Sequence, residues 1–389
     1  MTTFIFPGQG SQSKGMGGTL FDEFSEQTKQ ANDILGYSIK ELCLKDSKRE
    51  LNKTQFTQPA LYVVNALSYF KKIANGGNKP NYVAGHSLGE FNALLAAECF
   101  DFETGLKLVK KRGDLMSQSM GGGMAAILNS SQEEIETLLD LNGLKNIDIA
   151  NYNTPSQIVI SGLREEIAQA QMLFEEGDAL YYPLNTSGAF HSRYMLASRE
   201  EFEVYLKKFT FSDSQIPVIS NVSAKPYQAG EVMMGLTNQL ISPVKWSESI
   251  QYLLGVGETV FEEIGHGEVL TKLVSKIKKE LPKINIPTQV VTQPYDVENV
   301  RSVQSVATGT TEIGKASSDL DNITGSLTAV EKVNQWNQKN PIGTRVQSEI
   351  VKDKDLQTRT EAVVLFKHRA AVYLKGYNGY FDLDETVAI

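Results

Sequence analysis

Residues 82–90 read YVAGHSLGE, and this stretch decides how the chain folds. Its first three residues predict a short buried strand, and residues 88–98 predict a helix rich in Leu, Ala and Glu. Between them lies a G-x-S-x-G pentapeptide, in the strand–turn–helix context that gives this motif its meaning. Such a turn projects the serine hydroxyl, and the helix N-terminus offers free backbone N–H groups to an oxyanion. Ser87 is therefore the predicted nucleophile.

The strand and helix around Ser87 belong to a longer alternating pattern. Phe4-Ile5-Phe6 predicts another short strand, and residues 56–74 carry apolar side chains at helical spacing. Alternation of this kind continues to about residue 290 and is typical of a parallel sheet covered by helices on both faces. We therefore predict an α/β body.

Two segments depart from this pattern. Residues 121–187 predict the order β-α-β-β-α-β, which is that of a ferredoxin-like subdomain inserted in the body. Residues 302–328 are rich in Ser, Thr and Gly, a short helix is predicted near 328–338, and Asn378-Gly379 between two tyrosines predicts a hairpin turn. The predicted division is a body at 1–120 and 188–290, the ferredoxin-like subdomain at 121–187, a linker at 291–340 and a small β-rich appendage at 341–389.

Composition excludes several classes of function. The 38 Lys+Arg against 46 Asp+Glu give a net charge of −8, which argues against a nucleic-acid-binding surface. Two cysteines are too few for a disulfide framework or a cysteine-rich metal site. The N-terminus lacks the features of a signal peptide, and no apolar run is long enough for a transmembrane helix. We expect a cytoplasmic protein with no membrane partner.

A serine nucleophile needs a general base, and the chain has four histidines. Position favours His191, which follows a predicted strand in a loop of small residues. His86 adjoins Ser87 and is expected to point away from it. His266 lies in a glycine turn and His368 between two basic residues. From the residues alone the choice stays open.

Three motifs together resemble one family. FPGQGSQ (6–12), GHSLGE (85–90) and GAFHS (188–192) are similar, in order and spacing, to the malonyl-CoA:acyl-carrier-protein acyltransferases of fatty-acid and polyketide synthesis. The resemblance covers about residues 1–290. It implies a hydrolase-like acyltransferase fold and a two-step route without metal or cofactor. Ser87 would take the malonyl group from malonyl-CoA, with His191 as the base, and pass it to the phosphopantetheine thiol of an acyl carrier protein.

The resemblance also implies roles for other residues. The backbone carbonyl of Gln239 would orient His191, and the backbone N–H groups of Gln9 and Leu88 would form the oxyanion hole. Arg112 would bind the malonyl carboxylate, for which a planar guanidinium is suited. Phe190 would fill the space that an α-methyl group needs and so select malonyl over methylmalonyl groups.

Some further expectations carry less of the mechanism. Asn151 and Asn153 match a loop near the active site of the family and are further substrate-site candidates. His266 replaces a residue that is commonly proline in the family, and we assign it no catalytic role. An acidic carrier protein would need a local basic surface on this acidic chain. The candidates for it are Lys272, Lys276, Lys278 and Lys279.

The pathway and the appendage leave alternatives. The sequence SGAFHSRYM (187–195) looks like that of discrete acyltransferases that serve polyketide synthases in trans. The alternatives are a fatty-acid malonyl transacylase, an acyl hydrolase of related fold, a general α/β-hydrolase esterase and a non-catalytic scaffold. For the appendage, docking to a synthase component, self-association and a stabilising lid are all open.

Overall fold

The computed structural model describes residues 2–175, 179–281, 328–348, 356–365, 369–375, 381–384 and 386–388. The first half contains β1 (Thr2–Phe6), α1 (Leu20–Glu23), α2 (Ser25–Leu35), α3 (Ile39–Leu44), α4 (Thr54–Ala74), β2 (Tyr82–Gly85), α5 (Gly89–Ala96), α6 (Phe102–Ser117), β3 (Gly122–Leu128), α7 (Gln132–Leu141), β4 (Ile147–Thr154), β5 (Gln157–Leu163), α8 (Arg164–Glu175) and β6 (Leu180–Leu184). The second half contains α9 (Leu196–Leu206), β7 (Val218–Ile219), α10 (Val232–Gln239), α11 (Trp246–Gly255), β8 (Val260–Glu263), α12 (Val269–Glu280), α13 (Ala329–Lys339), β9 (Val346–Ser348), β10 (Val363–Leu365), β11 (Arg369–Val372), β12 (Phe381–Asp382) and β13 (Thr386–Ala388). A turn of 3₁₀-helix at Arg193–Met195 precedes α9.

The body is built on a parallel sheet in the order β7-β2-β1-β8. Side chains of β1 alternate between two cores, as the twofold period of a strand requires. Phe4 and Phe6 join the cluster formed with α4, α5 and α6. Ile5 joins the cluster formed with α11 and α12 on the opposite face. The predicted α/β body with a parallel, doubly covered sheet is confirmed.

The inserted subdomain has an antiparallel sheet in the order β4-β5-β3-β6, with α7 and α8 on one face. Along β3, Ala125 and Ile127 face the helices, whereas Met124 and Ala126 belong to the core of the body. The Tyr152 N–H donates to the Val244 carbonyl at 2.9 Å, which ties β4 to the body. The order of elements is β-α-β-β-α-β, as the sequence predicts. The exact domain boundaries stay a prediction.

The C-terminal appendage packs against the inserted subdomain. Ala371 and Tyr373 are fully buried in the core that α7 and α8 share. The Arg359 guanidinium lies over the Tyr373 ring at 5.2 Å and donates to Asn142 Oδ1, just beyond α7, at 2.9 Å. Helix α13, at the end of the predicted linker, packs on the appendage, and the two share a small core around Val333 and Val372. Residues 282–327, which hold most of the predicted linker, and the predicted hairpin at 377–380 lie outside the described residues.

Three observations complete the fold. Cys43 and Cys99 are buried and free of disulfides. None of the described helices is long and apolar enough to cross a membrane. In the same described ranges, no group of three His, Cys, Asp or Glu side chains could hold a metal ion.

Candidate active site

Ser87 lies in the turn between β2 and α5. Its φ is +51°, a left-handed conformation that costs energy for a residue with a side chain and that clusters at functional positions. The turn requires the backbone of β2 to approach that of α5 closely, at Gly85 and Gly89. A Cβ on Gly85 would lie 1.9 Å from the Gly89 carbonyl carbon. A Cβ on Gly89 would lie 2.0 Å from the Phe6 carbonyl oxygen of β1. The glycines of the motif are therefore required by the close approach of strand and helix.

A hydrogen-bonded chain leads from Ser87 to α10. Ser87 Oγ lies 2.8 Å from His191 Nε2, and His191 Nδ1 lies 2.9 Å from the backbone carbonyl oxygen of Gln239. Since a carbonyl oxygen only accepts, Nδ1 carries the proton, and Nε2 is left to accept from the serine hydroxyl. His191 also has a positive φ, +57°. The backbone thus holds both partners of the predicted nucleophile–base pair in unusual conformations.

Burial sets the charge of this histidine. His191 is 4% exposed, and burial together with the nearby Arg112 guanidinium lowers its pKa to about 3. A neutral imidazole at physiological pH can take a proton from Ser87 directly.

Arg112 on α6 points to the same serine. Its side chain is fully buried, and burial lowers its pKa to about 10, so it stays cationic at neutral pH. Nη2 donates to Ser87 Oγ at 3.0 Å and to Gln239 Oε1 at 2.9 Å, and Nη1 donates to Gln58 Oε1 at 2.8 Å. Within the described part of the chain, Nε has no hydrogen-bond partner. A buried cation with spare donors beside a nucleophile can receive a carboxylate.

A cavity of about 100 Å³ joins these groups. Its apolar wall is formed by Met116, Met124, Leu184 and Phe190. Phe190 is only 4% exposed, so its ring is packed into the wall of this cavity. A wider groove of about 480 Å³ reaches His191 between the body and the inserted subdomain. The residues that line these two cavities all lie between Gln9 and Pro243, so none of the described residues of the appendage lines either one.

The backbone of the loop after β1 approaches the same cavity. A Cβ on Gly8 would lie 2.3 Å from the His86 carbonyl oxygen and 3.6 Å from the Leu88 nitrogen. The absence of that Cβ brings Gln9 beside Leu88, and both line the cavity. Among the described residues, neither the Gln9 nor the Leu88 N–H donates to a protein acceptor. Two amides without a protein acceptor therefore belong to residues that line the same cavity as Ser87.

The structure separates the two asparagine candidates. Asn151 lines the cavity itself. Asn153 Oδ1 lies 2.8 Å from His86 Nε2, and the His86 ring packs on Trp246 with the ring centroids 5.6 Å apart. His86 is thus bound away from the serine. Outside the cavity, His266 Nε2 lies 2.6 Å from Ser13 Oγ.

Three contributing residues escaped the sequence analysis. Gln58 accepts a hydrogen bond from Arg112, and its signal in the sequence was a glutamine within the apolar face of α4. Asn221 Oδ1 accepts from the Ser87 N–H at 2.7 Å, and its only signal is a position just after β7. Glu90 is fully buried in the first turn of α5 and was visible only as the last letter of GHSLGE.

Comparison with known proteins identifies the family of this chain. Residues 3–321 match the family described as acyl transferase domain. A polyketide biosynthesis malonyl CoA-acyl carrier protein transacylase of Bacillus subtilis, PksC, is 58% identical over 282 residues, which are 72% of this chain and 98% of that protein. Its counterpart BaeC from Bacillus velezensis is 54% identical over the same shares. The malonyl CoA-acyl carrier protein transacylase of Synechocystis is 40% identical, over 73% of this chain and 95% of that protein.

Solved structures extend the similarity to the fold. A malonyl CoA-acyl carrier protein transacylase from Burkholderia pseudomallei superposes with a TM-score of 0.71 and 58% identity, over 72% of this chain and 99% of that one. A malonyl-transacylase in complex with a type II polyketide synthase acyl-carrier protein superposes with a TM-score of 0.68 and 33% identity, over 72% and 93% of the chains. The matched family spans most of the chain and contains the whole of the site described above. The chain belongs to the acyl transferase domain family.

Proposed function

We propose that this protein transfers the malonyl group of malonyl-CoA to the phosphopantetheine thiol of an acyl carrier protein, through an ester on Ser87. The observation that carries the proposal is the buried Arg112 guanidinium, whose Nη2 lies 3.0 Å from Ser87 Oγ. An acyltransferase that handles only uncharged acyl groups has no need of a buried cation beside its nucleophile, and burying one is costly. A malonyl ester places its carboxylate within reach of this cation.

The first step forms the ester. Ser87 Oγ attacks the thioester carbonyl carbon while His191 Nε2 takes the hydroxyl proton. The Gln9 and Leu88 N–H groups stabilise the oxyanion of the tetrahedral intermediate. When the C–S bond breaks, the departing CoA sulfur takes the proton from Nε2, which restores the neutral imidazole.

The second step runs the same chemistry in reverse. The carrier-protein thiol gives its proton to His191 Nε2 and attacks the ester carbonyl, and Ser87 Oγ leaves with that proton. Both thiol-bearing arms would enter by the wide groove, because the inner cavity of about 100 Å³ holds little more than the acyl group. Phe190 would restrict the cavity to acyl groups without an α-branch.

Sequence similarity favours polyketide synthesis as the setting. Identity is 58% and 54% to the two relatives named for polyketide biosynthesis, against 40% to the Synechocystis relative whose name lacks that term. We therefore propose a polyketide-synthase carrier protein as the acceptor. We also propose a reducing, cytoplasmic compartment, which the two buried free cysteines support.

The test is acyl loading followed by transfer. The full chain and its Ser87→Ala variant are incubated with malonyl-, methylmalonyl- or acetyl-CoA, and adducts are detected by intact-protein mass spectrometry. We expect one malonyl adduct on the wild type, none on the variant, and loss of the adduct when a phosphopantetheinylated carrier protein is added. Rapid release of free malonate without carrier protein would instead identify an acyl hydrolase. Faster transfer to a fatty-acid carrier protein than to a polyketide one would overturn the pathway.

A further inference from the structure

Glu90 is a buried carboxylate that the acyl-transfer steps do not use. It lies in the first turn of α5, three residues after the nucleophile, and is fully buried. Burial of a charged group is costly unless several donors compensate for it. Here the carboxylate accepts from the Asn221 backbone N–H at 3.0 Å, from Tyr227 Oη at 2.7 Å and from Gln239 Nε2. Both oxygens are thus occupied by donors.

One branch from Glu90 leads to the nucleophile. The Asn221 N–H binds the carboxylate, and the Asn221 side chain holds the turn around Ser87 at two points. Its Oδ1 accepts from the Ser87 N–H at 2.7 Å, and its Nδ2 donates to the Gly85 carbonyl at 2.7 Å. The strained φ of Ser87 is therefore fixed from this side.

The second branch leads to the base and the cation. Gln239 Nε2 donates to Glu90 and to the Ser87 carbonyl, the latter at 2.9 Å. Gln239 Oε1 accepts from Arg112 Nη2 at 2.9 Å, and its backbone oxygen accepts from His191 Nδ1. Gln239 thus forms hydrogen bonds with Ser87, His191 and Arg112.

The orientation of the Gln239 amide is dictated from its two sides. An ionised carboxylate only accepts hydrogen bonds, and a guanidinium only donates them. Between the two, the amide has one allowed orientation, with NH₂ toward Glu90 and oxygen toward Arg112. If Glu90 became a donor, the amide would lose its charged acceptor, and only the neutral Ser87 carbonyl would hold its NH₂ group on that side. The carboxylate of Glu90 therefore strengthens the orientation of Gln239 that places Arg112 at Ser87.

We propose that Glu90 is a positioning residue of this enzyme. Its carboxylate orients the Gln239 amide and the Asn221 backbone, and through them it fixes the relative positions of Ser87, His191 and Arg112. The proposal rests on the proposed function, because it assigns Glu90 a place in that acyl transfer. Glu90 does not contact the reacting atoms and acts through these two residues.

A pH dependence follows from the same contacts. Burial raises the pKa of Glu90 to about 7, against the opposing effect of hydrogen bonds from Tyr227, Asn221 and Gln239 and the charge of Arg112. The other titratable groups in this network hold one protonation state near neutrality: the pKa of Tyr227 is raised well above 10, that of Arg112 is about 10 and that of His191 about 3. The ionised carboxylate is the ordering form, so the acylation rate rises as the pH rises through the pKa of Glu90.

The test compares Glu90→Gln with Tyr227→Phe and the wild type. Tyr227 contacts Glu90 but none of the groups that react, so its phenylalanine variant is the matched control. Rapid quench gives the rate of malonyl-Ser87 formation, normalised to the final acylated fraction so that inactive protein does not count. Rates are measured at saturating malonyl-CoA from about pH 5.5 to about pH 8.5.

We expect Glu90→Gln to slow acylation about 100-fold, with the KM for malonyl-CoA within about threefold of wild type. Its rate should be independent of pH, whereas the wild type should show one ionisation near pH 7. Tyr227→Phe should keep the plateau rate within about threefold, and its acid limb should move to higher pH because a donor to the carboxylate is lost.

Other outcomes overturn the proposal. Acylation by Glu90→Gln within about threefold of wild type, or a raised KM with unchanged rate, would show that Glu90 does not position the reacting groups. If Glu90→Gln fails to fold, Tyr227→Phe decides, since an acid limb that does not move would refute the role of the carboxylate. Failure of the proposed function is distinguishable, because the wild type and Tyr227→Phe would then form no malonyl adduct at any pH.

Discussion

Replacement of Arg112 by alanine tests the selectivity for malonyl groups most directly. The guanidinium is 1% exposed, lies over the Phe91 ring at 5.7 Å and has a buried Nε without a partner among the described residues. A malonyl carboxylate bound by such a group would form two charge-assisted hydrogen bonds to a buried cation. The acetyl group has no carboxylate and forms neither.

The magnitude follows from these two bonds. Each hydrogen bond to a charged group contributes about 1.5–3 kcal/mol, so two contribute about 3–6 kcal/mol. At about 1.36 kcal/mol for each factor of ten, kcat/KM for malonyl-CoA should fall about 10²- to 10⁴-fold in Arg112→Ala. Arg112 also contacts Ser87 and Gln239, so acetyl-CoA will lose some rate as well. The ratio of kcat/KM for malonyl-CoA to kcat/KM for acetyl-CoA therefore isolates the contribution of the carboxylate.

The assay measures acyl-enzyme formation from malonyl-CoA and acetyl-CoA by rapid quench. Lys111→Ala is the matched control, since Lys111 neighbours Arg112 on α6 but pairs with Glu201 at the surface. The control should leave both rates unchanged. Arg112→Lys should be intermediate, because an ammonium keeps the charge and lacks the planar fork. An equal loss for malonyl-CoA and acetyl-CoA would refute the reasoning, because it would reduce Arg112 to a support for Ser87.

Three further substitutions test other parts of the molecule. Phe190→Ala should raise methylmalonyl loading relative to malonyl loading about 10- to 200-fold by vacating the wall of the acyl cavity, and an unchanged ratio in a competition assay would exclude that wall as the selector. Gly8→Ala places a Cβ 2.3 Å from the His86 carbonyl oxygen, so the loop of the proposed oxyanion hole must move. We expect kcat to fall about 100-fold, and a normal kcat in the folded variant would separate this loop from catalysis. Tyr373→Ala removes a fully buried ring of the appendage and should lower the free energy of unfolding by about 3–5 kcal/mol in urea denaturation, whereas an unchanged midpoint would mean that the appendage does not stabilise the inserted subdomain.

The C-terminal appendage has some features that its sequence predicts and others that depend on the tertiary structure. Its aromatic, alternating sequence predicts a β-rich unit, and strands β9 to β13 are found there. Sequence could not decide between a docking module and a stabilising lid. The burial of Tyr373 in the core of the inserted subdomain makes it part of that subdomain's packing, and the described appendage residues leave both cavities open. Long-range packing of this kind depends on the shape of the face that is covered, which no local pattern records.

The sequence by itself determined the local chemistry of the site. The turn that exposes Ser87 is specified by Gly85 and Gly89, since only residues without a Cβ permit the crossing of strand and helix. The alternation of short apolar strands with amphipathic helices specified the parallel sheet, because periodicity and burial are linked locally. Resemblance then supplied candidates for the other roles.

Only the tertiary structure decided how those groups act together. His191, Arg112 and Gln239 come from distant parts of the chain and meet at Ser87 within hydrogen-bond distance. Folding removes His191 and Glu90 from water, which lowers the pKa of His191 to about 3 and raises that of Glu90 to about 7. Each pKa depends on burial and on the charged and hydrogen-bonding groups around the side chain. Sequence names the residue types, whereas desolvation and the direction of each hydrogen bond exist only once the chain has folded.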